Sequence, residues 1–203
     1  MQNTLAPRKA PRQMRAQATH DAIIEAAAHI IGVGGLAAFN TNAVAARAGA
    51  SIGSLYQYFG NKDALMVALI HRQQKRQLES VAQAVLQVGE ADLPTTIRVI
   101  VRAAMQHHYD NSLLASAIDH EEARLPMDAE LTGYLDQSGD MVRALLARHV
   151  GEIGDINIDH AVRTLPALVR AATDTWANRN PPMLGVAEDE AVRTVLGYLR
   201  AVP

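Results

Sequence analysis

The sequence predicts an all-α protein, and three observations support this prediction. Apolar residues recur at helical spacing, as at Val99, Ile100, Ala103 and Ala104. No long segment alternates apolar and polar residues as a half-buried strand does. Stretches rich in glycine, proline and asparagine break the rear part of the chain into helix-sized pieces, at residues 89–94, 125–126, 151–157 and 180–185.

The composition excludes several kinds of protein. A chain of 203 residues can bury a sizeable core in one or two domains. It has no cysteine, which rules out disulfides, thiolate metal sites and thiol nucleophiles and fits a reducing compartment. The longest fully apolar run, residues 64–70, is too short to span a membrane, and no apolar block of a secretory signal stands at the amino terminus. We expect a cytoplasmic protein without a membrane partner.

Charge is divided unevenly along the chain. Residues 1–76 contain nine Lys and Arg against three Asp and Glu, a net charge of +6. Residues 77–203 contain ten against eighteen, a net charge of −8. The front part therefore favours a polyanionic partner that the rear part repels. Two domains with different partners are expected.

Residues 1–15 are expected to form a flexible basic arm. This segment contains two prolines and four basic residues, with no acid before Asp21, and cannot pack a core. Two interpretations stay open: the arm contacts phosphates or a minor groove, or it is a solvated tail. From about Ala18 a helical apolar pattern follows, which Gly32, Gly34 and Gly35 end.

Residues 41–62, TNAVAARAGASIGSLYQYFGNK, predict a helix-turn-helix. Ala45 is small enough for two helices to cross closely, and Gly49 can adopt a positive φ where the first helix ends. Thr41 and Ser51 stand at expected N-cap positions. Capping alone explains both hydroxyls, but helix N-termini also attract phosphates, so the two roles are compatible.

The second of these helices, about residues 52–58, is expected to bury Leu55. Its opposite face then presents Gly53, Ser54 and Gln57. Glycine costs about 1 kcal/mol relative to alanine inside a helix, so Gly53 suggests close approach of the backbone to a partner such as the floor of a major groove. Gln57 suits an adenine edge, and Ser54 suits a base or a phosphate.

Aromatic residues and a lysine complete this segment. Phe59 is expected in the core. Tyr56 and Tyr58 point outward with hydroxyls suited to phosphate oxygens, although half-buried tyrosines of a small domain would also explain them. Asn61 is the expected N-cap of a long helix. Lys62 in its first turn opposes the helix dipole at a cost of about 0.3–1 kcal/mol, so a nearby phosphate is favoured.

Taken together, residues 16–70 resemble the DNA-binding domain of the TetR family of bacterial transcriptional regulators. The resemblance is carried by Thr41, Val44-Ala45, Ala48-Gly49, Ser51, Gly53, Tyr56, Tyr58-Phe59, Lys62 and Leu65 at fixed spacing. It implies a homodimeric repressor that a small-molecule effector releases from a palindromic double-stranded DNA operator. It also implies phosphate contacts by Thr41, Ser51, Tyr56, Tyr58 and Lys62. Bases would face Asn42, Ser54 and Gln57, beside the close approach expected at Gly53.

The expected domains are therefore a basic arm at residues 1–15, a three-helix helix-turn-helix DNA-binding domain at 16–70 and a helical bundle at 71–203. The bundle would bind the effector and form the dimer. Two recognition helices would enter successive major grooves about 34–36 Å apart. An effector that binds better to a conformer with another separation of the recognition helices would lower operator affinity. It needs to supply only about 1–3 kcal/mol of coupling free energy to do so. Activation in place of repression stays open.

Two apolar stripes in the last two expected helices, about residues 158–178 and 188–201, are candidates for the dimer interface. The first contains Val162, Leu165, Val169 and Ala172, and the second contains Val192, Val195, Leu196 and Leu199. The resemblance implies a twofold four-helix interface at this end of the chain. The stripes alone favour a core within one chain. Pro166 is expected to kink the first of these helices.

The rear part also contains the polar residues most relevant to chemistry. Adjacent helical residues such as His107 and His108 diverge by about 100°, and no HExxH pair occurs, so no metal site is predicted near them or near His120. No GxSxG elbow or evident catalytic nucleophile is present, and no cofactor is expected. A helical enzyme or a protein-only dimeric scaffold is the competing hypothesis. The candidate effector cavity is lined by Met105, Ile118 and Trp176, with His108, Tyr109 or Glu121 as polar anchors.

Overall fold

A computed structural model describes residues 11–126, 128–176, 179 and 182–200. Within these residues the regular secondary structure is entirely helical, which confirms the all-α prediction. The helices are α1 (Pro11–Gly34), α2 (Thr41–Ala48), α3 (Ile52–Tyr58), α4 (Lys62–Val88), α5 (Leu93–Ala104), α6 (Gln106–Asp110), α7 (Ser112–Arg124), α8 (Ala129–Arg148), α9 (Ile158–Trp176) and α10 (Leu184–Leu199). A short 3₁₀ helix, Leu36–Ala38, follows α1.

The chain divides into two compact units, residues 1–69 and residues 70–203, and the division falls inside α4. We call them the first unit and the second unit. In the first unit α1 packs against α2, and α2 packs against α3. Their shared core consists of fully buried aliphatic side chains, among them Ile23, Ile31, Val44, Leu55, Leu65 and Leu69. This arrangement is the predicted three-helix domain with the amino-terminal part of α4 added.

The start of α1 differs from the prediction. The helix begins at Pro11, so residues 11–15 are helical, and their assignment to a flexible arm is wrong. Proline is favoured at the first helical position because its φ is already helical and its missing N–H would have no partner there. The residues that follow, Gln13, Met14, Arg15 and Ala16, are good helix formers. Residues 1–10 of the expected arm lie outside the described residues.

The second unit has its core among α5, α8, α9 and α10. It is built from Leu93, Ile97, Val101, Met105, Leu145, Leu146, Ala161, Leu165, Ala172, Ala187, Ala191, Val192, Val195 and Leu199. Helix α9 continues through Pro166, and α10 begins at Leu184, earlier than the predicted residue 188. Because α9 and α10 pack on each other, their apolar stripes meet inside one chain.

This packing corrects the prediction of the dimer interface. Five of the eight proposed interface residues are buried in the core of their own chain and have no surface left for a partner: Leu165, Ala172, Val192, Val195 and Leu199. Val169 and Leu196 lie partly exposed at the edge of that core. Val162 is half-buried on the side that faces Gly139 of α8.

Replacing Gly49 by alanine is expected to lower the free energy of unfolding by about 1–2 kcal/mol, because an L side chain is strained in the left-handed region. Gly49 has a φ of 66° and ends α2. Gly53→Ala is the matched control in the next helix, where a new Cβ would meet Ser51 Oγ at an ordinary 3.8 Å. Urea denaturation followed by circular dichroism measures both variants. Equal stability of the two would contradict the conformational role of Gly49.

Candidate nucleic-acid interface

The N-cap of α2 is Asn40, so the prediction that Thr41 caps this helix is wrong. Asn40 has extended backbone angles, and its Oδ1 accepts a hydrogen bond from the backbone N–H of Ala43 at 2.8 Å. Asparagine is among the best N-cap residues because its short side chain reaches this N–H. Thr41 is the first residue inside the helix. Its hydroxyl is therefore not used as a cap.

The hydroxyls of Thr41 and Tyr56 lie together at the surface where α2 meets α3. Thr41 Oγ1 is 3.1 Å from Tyr56 Oη, across 15 positions of sequence. Thr41 is half-buried, and Tyr56 is 47% exposed. Two residues that the sequence assigned separately to phosphate contacts thus form one hydrogen-bonded pair.

The turn between α2 and α3 has the predicted geometry. Ala45 is buried where the two helices meet, and the N–H of Ala50 donates to its carbonyl at 3.0 Å. Ser51 is confirmed as the N-cap of α3, since its Oγ accepts from the N–H of Ser54 at 3.0 Å. The two serine hydroxyls are 2.9 Å apart. The cap and the left-handed glycine fix the direction in which α3 leaves the turn.

Helix α3 has one buried face and one exposed face. Leu55 is fully buried, and Phe59, directly after the helix, is buried as predicted. Gly53 and Gln57 are exposed, and Ser54 is half-buried. Within the same first unit, Asn42 of α2 is also exposed. The side chains expected to face bases are thus not used in the core of their unit.

Two further residues belong to this surface but were missed by sequence reasoning. Ile52, the first residue of α3, is 39% exposed although it is apolar. His20 of α1 stacks on Phe59 with ring centroids 5.0 Å apart, and its ring meets the edge of Tyr58 at 6.2 Å. The sequence contained a signal for Ile52, which stands on the outward face of an amphipathic helix. A lone histidine 38 positions before Tyr58 gave no such signal.

Lys62 begins α4 and is exposed. Asn61 caps this helix as predicted, because its Oδ1 accepts from the N–H of Ala64 at 2.8 Å. The Lys62 ammonium lies 4.9 Å from the ring centroid of Phe39. Such a cation–π contact contributes about 0.5–1 kcal/mol at an exposed site and helps to offset the unfavourable helix dipole. The ammonium keeps access to solvent and therefore to an anion.

Comparison with known families agrees with this geometry. A family model of bacterial regulatory proteins of the tetR family matches residues 23–69, and a model of the tetracyclin repressor-like C-terminal domain matches residues 92–199. The chain belongs to the TetR family. It is a DNA-binding, ligand-responsive transcriptional repressor, and its family is not enzymatic. The competing hypothesis of a helical enzyme is therefore wrong.

Similar proteins extend over most of this TetR-family chain. The HTH-type transcriptional repressor KstR of Mycolicibacterium smegmatis is 29% identical over 180 residues, which cover 86% of this chain and 85% of KstR. FadR from Bacillus subtilis, solved in complex with stearoyl-CoA, has a TM-score of 0.71 at 15% identity and covers 89% of this chain and 100% of its own. A TetR-family regulator from Streptomyces coelicolor has a TM-score of 0.63 at 23% identity, and the match covers 91% of this chain and 97% of that regulator. At these identities the two structures demonstrate the fold alone.

The residues proposed for the effector cavity of this regulator fall into separate groups. Met105, His108, Ile118 and Glu121 are buried in the second unit, whereas Tyr109 and Trp176 are half-buried. Two surface grooves of about 340 and 230 Å³ have other linings, which include Leu78 and Met141 in the first and Val99 and Leu196 in the second. Neither groove is lined by the residues proposed for the effector cavity, so that cavity stays a prediction.

All three proposed polar anchors have ionic or hydrogen-bonding partners within the second unit. Glu121 accepts two hydrogen bonds from the guanidinium of Arg124, at 2.8 and 2.6 Å. The hydroxyl of Tyr109 donates to Glu188 at 2.6 Å, and the Arg102 guanidinium lies 3.6 Å from its ring centroid. Burial and the Glu188 carboxylate raise the pKa of Tyr109 to about 12, so it remains a neutral donor. This group joins α5 and α6 to α10.

The third anchor, His108, belongs to a cluster that the sequence did not predict. The rings of His107 and His108 have centroids 4.3 Å apart, so the expected divergence of these adjacent side chains is wrong. His108 Nε2 is 3.2 Å from Asp119 Oδ2. His120, by contrast, is exposed.

Within the described residues, no helix is both long and apolar enough to cross a membrane.

Proposed function

We propose that this repressor reads its operator with the exposed face of α3. The observation that carries the proposal is that Gly53 and Gln57 are exposed on a seven-residue helix anchored by the fully buried Leu55. Gln57 offers the paired donor and acceptor that match an adenine edge, and Gly53 lets the backbone come close to the groove floor. Ser54 and Asn42 supply further polar contacts to bases. The exposed Ile52 is suited to a thymine methyl group.

The phosphate contacts are assigned to the rim of this face. In the Thr41–Tyr56 pair one hydroxyl donates to the other, which leaves the accepting hydroxyl with its own proton for a phosphate oxygen. Thr41 also lies in the first turn of α2, where free N–H groups favour an anion. Ser51 at the start of α3, Tyr58 beside His20, and Lys62 complete the set. These contacts position the protein and carry no sequence information of their own.

We assign operator reading to residues 16–70 and effector binding and dimerisation to residues 71–203. The unequal charge of the two parts supports this assignment, because the acidic rear part would be repelled by DNA. The basic residues Arg8 and Lys9, which precede α1 in the sequence, would add contacts to phosphates or to a minor groove. The cytoplasm, where bacterial DNA lies, is the expected compartment.

Lys62→Ala and Gln57→Ala are expected to weaken operator binding in different ways. Loss of Lys62 should weaken binding to all sequences and reduce the salt slope by about 1, since one phosphate contact disappears. Loss of Gln57 should weaken the binding free energy for the operator by about 1–3 kcal/mol. It should not change binding to random DNA or the salt slope. Fluorescence anisotropy with the DNA upstream of the protein's own gene and with random DNA, over a series of salt concentrations, measures both effects.

Lys75→Ala is the matched control, because Lys75 is an exposed lysine of the same helix but lies in the second unit. Circular dichroism tests whether each variant is folded, which matters for Lys62 because of its contact with Phe39. Unchanged binding by both folded variants, on operator and random DNA, would refute the assignment of this face to DNA.

We propose that the repressor is a homodimer formed by the outward faces of α9 and α10. Pro166, Ala167 and Ala171 of α9 and Gly197 of α10 are exposed and small, so they allow another helix to approach closely. The partly exposed Val169 and Leu196 add apolar area beside them. A twofold axis would then place two copies of α3 in successive major grooves of a near-palindromic site, about 34–36 Å apart.

Gly197→Arg is expected to abolish the dimer and to leave the chain folded. A Cβ at Gly197 meets no atom within 4 Å in its own chain, so a side chain there is tolerated by the protomer but collides with a close partner helix. Gly133→Arg in α8 is the control, because its Cβ is equally free. Sedimentation velocity distinguishes monomer from dimer. A Gly197→Arg protein that sediments as the wild type would place the dimer interface elsewhere.

We propose that the effector carries a long apolar chain, such as an acyl thioester. Two observations support this class: the second unit has a largely aliphatic core, and a protein of the same fold, FadR of Bacillus subtilis, was solved with stearoyl-CoA. The Arg102–Tyr109–Glu188 group ties α5 and α6 to α10, and we expect it to separate when the apolar chain enters among Met105, Ile118 and Trp176. A ligand that stabilises the opened form shifts the population toward a conformer with lower operator affinity.

Stearoyl-CoA is expected to release the protein from its operator, and coenzyme A without the acyl chain is expected not to. A coupling of about 1–3 kcal/mol corresponds to a loss of operator affinity of about 5-fold to 150-fold. Operator titration by anisotropy with and without each compound measures this. Equal effects of the two compounds, or no effect of either, would exclude a long-chain acyl thioester.

A further inference from the structure

We propose that His107, His108 and Asp119 of the second unit bind a divalent transition-metal ion. One potential ligand atom of each residue lies within 4.8 Å of those of the other two. Bonds of about 2.0–2.2 Å to a shared ion require the three groups to close in slightly, which small side-chain rotations achieve. The proposal concerns the second unit only and does not rest on the operator contacts described above.

The local fold explains why these side chains converge. Helix α5 ends at Ala104, Met105 adopts φ −90° and ψ 0°, and α6 is a separate helix of five residues. The two histidines therefore lie on a short helix whose side chains are directed by its packing against α7, the helix that contributes Asp119. This packing brings the imidazole rings together although the residues are adjacent in sequence.

Both histidines have a buried ring nitrogen that is not satisfied. Nδ1 of His107 and Nδ1 of His108 are buried and have no hydrogen-bond partner among the described residues, and His108 as a whole is 1% exposed. Leaving a buried polar atom without a partner is unfavourable, and such atoms are rare in folded proteins. A cation bound in the cluster would accept the lone pair of one ring nitrogen of each histidine.

Asp119 lies against one of the two rings. His108 Nε2 and Asp119 Oδ2 are 3.2 Å apart, about the separation of two neighbouring ligand atoms on a tetrahedral ion. Without an ion the pair forms a hydrogen bond, and a bound ion would replace the shared proton.

The charges around the cluster favour a cation. The Arg170 guanidinium lies 3.7 Å from Asp119 and 2.9 Å from Glu122. The carboxylates of Asp119 and Glu122 and the guanidinium of Arg170 together carry a net charge of −1.

The donor set indicates the class of ion. Two imidazole nitrogens and one carboxylate oxygen suit Zn²⁺ and its neighbours in the first transition series better than Mg²⁺ or Ca²⁺, which prefer oxygen ligands. Three protein ligands also leave one tetrahedral position for water or for a donor atom of another molecule.

The test uses the full-length protein, freed of any affinity tag and treated with chelator. Titration with Zn²⁺ against a chromophoric chelator is expected to give one bound ion per chain. His107→Ala and His108→Ala are expected to weaken this binding at least tenfold, and Asp119→Asn about 10-fold to 100-fold. Co²⁺ substitution gives visible absorption bands that report directly on the coordination geometry.

His120→Ala is the matched control, because His120 is next to Asp119 in sequence but exposed, and its loss should not change binding. Circular dichroism identifies variants that fail to fold. Asp119→Asn keeps the size of the side chain and provides the test if a histidine variant is unfolded. Absence of a stoichiometric site in the wild type, or equal binding by folded wild type and Asp119→Asn, would overturn the proposal. Either result would leave the operator contacts unaffected.

Discussion

The face that we propose for reading DNA depends on the anchoring of a helix that cannot be stable by itself. An isolated helix shorter than about 12–15 residues is marginal in water, and α3 has seven residues. It is held by Leu55 in the core, by Phe59 immediately after it and by the Ser51 cap. Because these three attachments use one face and both ends, the other face remains exposed.

Packing inside the first unit also positions the side chains that lie around α3. Gly49 takes the left-handed conformation that ends α2, and Ala45 lets the two helices come close enough for Thr41 and Tyr56 to pair. His20 of α1 contacts the rings of Tyr58 and Phe59. The proposed phosphate contacts are thus positioned by packing inside the first unit, so that a change in the core would alter operator affinity without touching DNA.

In the second unit, ion pairs and hydrogen bonds between polar side chains connect the helices. Glu188 binds Arg102 and Tyr109, and Glu121 binds Arg124. Such pairs hold helices in fixed positions, and an effector has to displace or rearrange them. The histidine cluster at α6 is different because two imidazoles and a carboxylate lie close enough together to share one ion.

Hydrophobic periodicity determined which faces of the rear helices are buried, but it did not reveal what covers them. The stripe from Leu165 to Ala172 in α9 and the stripe from Val192 to Leu199 in α10 were identified correctly as apolar. Five of the eight residues assigned to a dimer interface are buried instead where the two stripes cover each other within one chain. An apolar residue loses contact with water equally well against its own chain or against a partner, so the pattern is the same in both cases.

The sequence by itself determined the all-α class, the helix-turn-helix, the Ser51 and Asn61 caps and the burial of Leu55 and Phe59. These features depend on backbone preferences and on spacings of a few residues, which a sequence records directly. Only the tertiary structure decided which distant side chains meet, such as Thr41 with Tyr56, His20 with Phe59, and His108 with Asp119. Such pairs depend on how separate helices pack, and that packing is set by the whole core and not by any local pattern.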